Sequence, residues 1–183
     1  MDTNDIVVKL AQPEDSEGVF NVQRKAWLDT YPNHEIGITE EDIRVRIEGK
    51  NGELIPNKIE RWRHATGAGV KKLAVFVVKD AGRVVGFVAP AIRDGQRRVG
   101  AIYVLPEMQN KGIGGKLLES AIGWHGRSEA IYLHVASYNK KAIDFYKRNG
   151  FEETGKEIAD EVAKVGDGKA IPEIEMVLRA ISD

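Results

Sequence analysis

Residues 102–115 read IYVLPEMQNKGIGG: an apolar run, a proline, then a glycine-rich loop that opens onto apolar residues at helical spacing. No other segment constrains the fold as much. A strand stopped by a proline, which has no N–H to donate, and continued through glycines into a helix leaves that helix's N-terminus exposed beyond the strand's carboxyl end. Gly112, Gly114 and Gly115 are expected to let the main chain turn tightly with its N–H groups outward, and the first helical turn adds about half a positive charge. The segment therefore predicts a local seat for an anion such as a pyrophosphate.

The surrounding pattern fixes where that seat lies. Residues 73–78 and 84–89 are β-branched and aromatic runs joined by the turn sequence KDAGR, and RDGQ leads on to 99–105, so three antiparallel strands form a meander. Helical spacing through Ile113, Leu117, Leu118, Ala121, Ile122 and Trp124 ends at Gly123 or Gly126, and 131–135 returns as a strand. Strand, helix and strand in succession predict a parallel pair, 99–105 with 131–135, joined by a right-handed crossover. Asn139 stands where a helix cap belongs, Asn149-Gly150 provides a stop, and 151 onward is extended, with alternation through Ile174, Met176 and Leu178 and KVGDGK (164–169) as the intervening loop.

Ahead of the meander, 6–10 reads as a strand and Asp15 or Ser16 as the start of a helix running to Trp27. Residues 29–68 are irregular, with DTYPN as a loop, Thr39-Glu40-Glu41-Asp42 as a helix start, and Gly49, Gly52 and Pro56 as interruptions. At 183 residues with 42% apolar content, the chain is expected to form a single domain, 1–183, of α/β class with a mixed, mostly antiparallel sheet.

Composition narrows the chemistry. Lys and Arg number 27 against 28 Asp and Glu, so no global field gathers nucleic acid or an anionic membrane, and any anion site is local. Without cysteine there is no thiolate nucleophile, disulfide or Cys-ligated zinc, and a transferred acyl group must pass directly. His34, His64 and His125 lack metal-ligand spacing and are expected to be surface or satisfied residues. The acidic MDTNDIVVKL start, with no basic-then-apolar leader, gives a cytoplasmic expectation.

Two familiar phosphate loops do not fit. A Walker loop needs glycine where Asn110 stands and Ser or Thr where Leu117 stands. A Rossmann fingerprint fails at the third glycine, again Leu117, and belongs at a first strand rather than after a meander.

Gln109-Asn110-Lys111-Gly112-Ile113-Gly114 instead resembles the Q/R-x-x-G-x-G/A signature of the GNAT superfamily of acyl-coenzyme A dependent N-acyltransferases. A second ordered stretch, Leu133-x-Val135, Asn139, Ala142, Phe145-Tyr146 and Gly150-Phe151, resembles that family's next signature. The likeness is strong over 99–151 and weak before residue 70. It implies a GNAT fold with the parallel strands splayed at the cofactor site, and acetyl-coenzyme A (acetyl-CoA) as co-substrate without a metal. Its pyrophosphate would be held at 110–115, with Gln109, Lys111 and Ile113 part of that loop. The backbone of Ile102, Tyr103 and Val104 would pair with pantetheine as if with another strand. Asn139 would contact the cofactor arm as well as capping its helix.

Amide formation sets two proton demands. An amine of pKa about 10 is protonated at neutral pH and needs a base, and a departing thiolate needs an acid. The resemblance places the acid at Tyr146. His134 occupies the position where some protein N-terminal acetyltransferases of the family carry a glutamate, and its intrinsic pKa of about 6.5 suits a base. Many relatives place a glutamate base just before the glycine loop, but Arg97-Arg98-Val99-Gly100-Ala101 stands here. Acceptor selection would fall to the segment after the first strand, with Trp27 and Tyr31 as lining residues. The expected acceptor is a small primary amine, polyamine-like or other, with a peptide N-terminus or lysine as alternative, acting in a monomer or homodimer. A non-catalytic acyl-CoA sensor is the competing class.

Overall fold

The computed structural model describes residues 6–67, 72–165 and 168–181, with backbone alone over 159–163. In chain order its elements are β1 (Val8–Leu10), α1 (Ser16–Thr30), α2 (Glu40–Glu48), α3 (Ile55–Ala65), β2 (Phe76–Asp80), β3 (Arg83–Arg93), β4 (Gln96–Val104), α4 (Ile113–His125), β5 (Ile131–Ala136), α5 (Lys140–Arg148), β6 (Glu152–Val165) and β7 (Lys169–Leu178). The strands form one sheet in the order β1-β2-β3-β4-β5-β7-β6. Every neighbouring pair is antiparallel except β4 and β5, which run parallel as the crossover pattern predicts.

Helices cover both faces of this sheet, and strand alternation assigns them. A Cβ on Gly86 of β3 would meet Ile113 and Leu117 of α4 at 3.1 Å, so that face lies under α4. The next residue, Phe87, points the opposite way and meets Trp62 of α3 with ring centroids 5.0 Å apart. The main core runs between the strands, α1 and α4 through Val19, Val22, Phe87, Leu117, Leu118, Ile131 and Leu133. A smaller apolar cluster, Phe20, Ile38, Ile43, Ile47, Ala136, Val165 and Ile171, joins α1 and α2 to the β6–β7 hairpin.

Several boundaries differ from the expected ones for identifiable reasons. α1 runs to Thr30 rather than Trp27, because Tyr31 still donates its N–H to the Trp27 carbonyl at 3.0 Å, and this draws Asp29 and Thr30 out of the expected loop. Pro56 does not interrupt a helix. It sits in the first turn of α3, where a missing N–H costs nothing. Thr39 caps α2 as read, its hydroxyl accepting from the Asp42 N–H while the Asp42 carboxylate accepts from the Thr39 N–H. β2 begins at Phe76 rather than Leu73, which makes only a single bridge to Ala91. Gly123 lies inside α4, and Gly126, with φ 71°, ends it. Lys164 and Val165 belong to β6 and Lys169 to β7, with Val165 paired to Lys169, so the expected loop contracts to its tip, of which residues 166 and 167 lie outside the described residues.

Two irregularities of the sheet fall on β4. The β3–β4 register slips, Val88 pairing with Ile102 but Pro90 with Val99, so β4 carries one extra residue and its outward face changes along its length. β4 and β5 pair only at Arg97 with Ile131 and Arg98 with Tyr132, then part.

Candidate active site

The parting of β4 from β5 opens a cleft of about 940 Å³. Arg98 through Val104 line one edge, Leu133 through Ala136 the other, and the glycine loop, α5 and the end of α1 complete the walls. Facing strand edges without a partner strand expose N–H and C=O groups at regular spacing, and an extended amide chain can pair with them.

Backbone geometry explains the loop. Asn110 and Gly112 adopt left-handed φ values of 61° and 83° and swing the chain into α4, whose first-turn N–H groups, at Ile113, Gly114 and Gly115, precede any i−4 partner. Gly112 is thus required by the turn. The other two glycines have a different reason from the expected one, since neither has a positive φ. A Cβ on Gly115 would meet nothing within 4 Å, and one on Gly114 would only touch the Phe145 ring at 3.5 Å. Their bareness leaves the helix terminus open toward the cleft, which Asn110, Gly112, Gly114 and Gly115 all line. Lys141 donates to the Gln109 side chain at 2.5 Å, the Gln109 amide reaches the Val104 carbonyl at 3.5 Å, and Lys111 lies on Met108 sulfur. Lys140, Lys141 and Arg148 line the same rim and add positive charge that no sequence motif marks.

Asn139 caps α5 by accepting from the Ala142 N–H at 3.1 Å, and it also lines the cleft. Tyr146 is buried to 7% exposure between Phe145 and Phe151, with ring centroids at 5.3 and 5.8 Å. Its neighbour Phe145 is only partly buried and leans over the bare first turn of α4. Burial, with Tyr103 adding to it, pushes the Tyr146 hydroxyl well above the usual tyrosine pKa, so the proton stays on at any ordinary pH.

The other end of the cleft is aromatic. Trp27 stands edge-on to Tyr31 at 4.9 Å, and the Tyr31 and Tyr103 hydroxyls share a 3.1 Å hydrogen bond across 72 residues of sequence. Tyr138 donates to the Tyr31 carbonyl at 2.9 Å. Burial raises the pKa of all three, Tyr138 to about 12, and the Glu173 carboxylate raises them further. Trp27 and Tyr31, singled out from sequence, therefore meet in one wall, with Tyr103 contributing its side chain as well as its backbone.

His134 lines the cleft within a charged cluster. Its Nε2 lies 3.0 Å from Arg98 Nη1 and 3.5 Å from Glu175 Oε2, and its Nδ1 lies 3.9 Å from Glu173 Oε2. Glu175 is buried and further held by Thr154 and Lys156. Glu173 is the residue that sequence reasoning misses. In the sequence it is one member of a plain alternation, and only the β5–β7 register, Ala136 opposite Glu173 and His134 opposite Glu175, brings it to the cleft. His125, expected to be a surface or satisfied residue, is buried and donates from Nε2 to the Arg98 carbonyl at 2.9 Å. Among the described residues no group of three or more His, Asp or Glu is placed to hold a metal ion.

Comparison with known proteins finds the same likeness. Residues 71–153 match the model of the acetyltransferase (GNAT) domain. That stretch, from just before β2 to the start of β6, resembles a GNAT acetyltransferase domain and includes the glycine loop. A probable N-acetyltransferase of Mycobacterium tuberculosis is 27% identical over 168 residues, 85% of this chain and 85% of that protein. An uncharacterized N-acetyltransferase of Methanocaldococcus jannaschii is 40% identical over 88 residues, a match that spans 43% of this chain but only 38% of that protein. In fold, the chain resembles the PaiA N-acetyltransferase of Thermoplasma acidophilum solved in complex with coenzyme A, with a TM-score of 0.68 at 22% identity over 96% of this chain and 99% of that one. The splayed β4–β5 pair and the glycine loop thus belong to a GNAT fold. Among the described residues no helix is long and apolar enough to cross a membrane.

Proposed function

We propose that this protein moves the acetyl group of acetyl-CoA directly to a primary amine of a small molecule. The observation that carries this reading is the cleft with two unlike ends: bare strand edges and an open helix terminus at one, an aromatic wall with a carboxylate at the other. The residues present fit coenzyme A. Unsubstituted glycines give the pyrophosphate access to the amides of residues 110–115, and Lys140, Lys141 and Arg148 offset its charge. Ile102, Tyr103 and Val104 offer backbone groups to pantetheine, and the Asn139 side chain stands beside them.

Acetyl-CoA supplies the acetyl group as a reactive thioester. The protein supplies the proton traffic and alignment. Tyr146 holds a proton at every ordinary pH and donates it to the departing sulfur. The end of α1, with Trp27 and Tyr31, forms the acceptor side, where aromatic faces attract a cationic amine.

A thiol-release assay with acetyl-CoA, run against spermidine, a simple alkylamine, and peptides bearing a free N-terminus or a lysine, tests the reading. Release with the small amines is expected. Release with peptides alone moves the activity to proteins, tight coenzyme A binding without release makes the protein a sensor, and no affinity for coenzyme A by calorimetry removes the reading altogether.

A further inference from the structure

The Arg97-Arg98 stretch stands where a glutamate base before the glycine loop would be, so the proton of the acceptor ammonium needs another destination. Three cleft-lining side chains could accept one: Asp29, His134 and Glu173. Asp29 is exposed near the end of α1, where water screens its charge.

His134 is already committed. A guanidinium has donors only, so the 3.0 Å approach of Arg98 Nη1 requires Nε2 to present its lone pair. The neutral ring then carries its hydrogen on Nδ1, the nitrogen that faces Glu173 Oε2 at 3.9 Å. Arg98 on one side and the Glu173 and Glu175 carboxylates on the other hold the ring in place. Held in this way, the imidazole is set to orient its neighbours.

Glu173 remains. Its side chain is 17% exposed, buried enough for its charge to act at short range and open enough to meet a substrate. It lines the cleft together with Tyr31, Tyr103 and Tyr138, whose hydroxyls stay protonated and cannot compete for the proton. Charged and titratable groups around it include His134 on β5, Arg98 and Tyr103 on β4, Glu175 on its own strand, Lys156 on β6 through Glu175, Tyr31 at the end of α1 and Tyr138 ahead of α5, and Arg46 of α2 lines the same cleft.

We propose that the Glu173 carboxylate receives the ammonium of the acceptor against the aromatic wall and takes one of its protons, with His134 and Arg98 as positioning residues. The proposal rests on the acetyl-transfer reading and names the acceptor class within it: amines that arrive as cations. One N–H bond of the ammonium breaks, its electron pair stays on nitrogen, and the proton goes to Glu173. The freed lone pair forms the C–N bond as the C–S bond breaks. The sulfur takes the Tyr146 proton, the second nitrogen proton replaces it through solvent, and Glu173 sheds its own, so one proton leaves per amide formed.

The test compares cationic with uncharged acceptors in Glu173→Gln. With butylamine or spermidine, kcat/KM should fall about 100-fold or more, the span typical of a lost general base. With methoxyamine or aniline, uncharged at neutral pH, it should fall less than about threefold, because there is no ammonium proton to remove. Calorimetry on the coenzyme A-bound protein should show butylammonium affinity down at least about tenfold while coenzyme A affinity is unchanged, which also shows that the variant is folded. Nitrogen-15 spectra of the wild type should show His134 protonated at Nδ1. Equal losses for both kinds of amine, unaltered butylammonium affinity, or a greater loss in His134→Gln than in Glu173→Gln would overturn the assignment. A wild-type protein that turns over no amine at all would sink the acetyl-transfer reading instead, a different failure from a wild type that acetylates but does not need Glu173.

Discussion

The two ends of the cleft are built by different means. The end with the glycine loop is local: a strand, a left-handed turn at Asn110 and Gly112, and a helix N-terminus succeed one another within about a dozen residues, and what they offer is backbone. The aromatic end is assembled from far apart, Tyr31 with Tyr103 across 72 residues and Tyr138 with the Tyr31 carbonyl across 107, and what it offers is side chains. Backbone recognition suits a partner that never changes. Side-chain recognition lets a fold change its acceptor without rebuilding its frame.

Substitutions can break or sharpen that division. Tyr146→Phe stands at the seam and should lower turnover about 100-fold or more while leaving both coenzyme A and amine affinities in place. Unchanged turnover would make Tyr146 a packing residue. Gly115→Ala should separate fold from ligand at the backbone end: the Cβ has open space and improves helix propensity, so the melting temperature holds or rises, yet the methyl intrudes on the open terminus and coenzyme A binds about tenfold more weakly. Equal affinity would show that the anion does not approach that amide. Tyr31→Phe belongs to the other end and should raise KM for the amine by a few-fold, the worth of one neutral hydrogen bond, without touching coenzyme A affinity.

The gentlest effect is one of pH. Tyr31, Tyr103, Tyr138 and Tyr146 all have folded-state pKa values raised by burial above that of an unfolded tyrosine. The stability this represents is intact below about pH 10 and is lost as pH climbs beyond it, because only the unfolded chain then ionises. Denaturation measured from about pH 8 to 11 should show a flat profile and then a decline, smaller in Tyr31→Phe. A decline beginning well below about pH 9 would place the sensitivity outside this cluster.

The same division governs what is legible in the sequence. Caps, stops and the glycine turn depend on neighbours in the chain, so Thr39, Asn139, Gly112 and the parallel crossover can be read directly. Pro56 misleads because a proline breaking a helix and one seated in a first turn have the same local sequence; what decides is whether residues beyond it pack, as Ile59 and Trp62 do. Glu173 is invisible for a stronger reason. Alternation gives it a face but not which face, and the answer depends on the register of β7 against β5 and on how β5 meets a bulged β4.

The two rungs that fasten β4 to β5 have a mechanical corollary. Strands β1 to β4 form one panel and β5, β7 and β6 another, stitched at the Arg97–Arg98 end and unstitched beyond it. A guest that hydrogen-bonds along both raw margins completes the seam, so binding and cohesion become one quantity: at roughly a hundredfold excess over its dissociation constant such a guest adds about 2.7 kcal/mol against unfolding. The protein's resistance to heat would then report how well supplied it is with its own co-substrate.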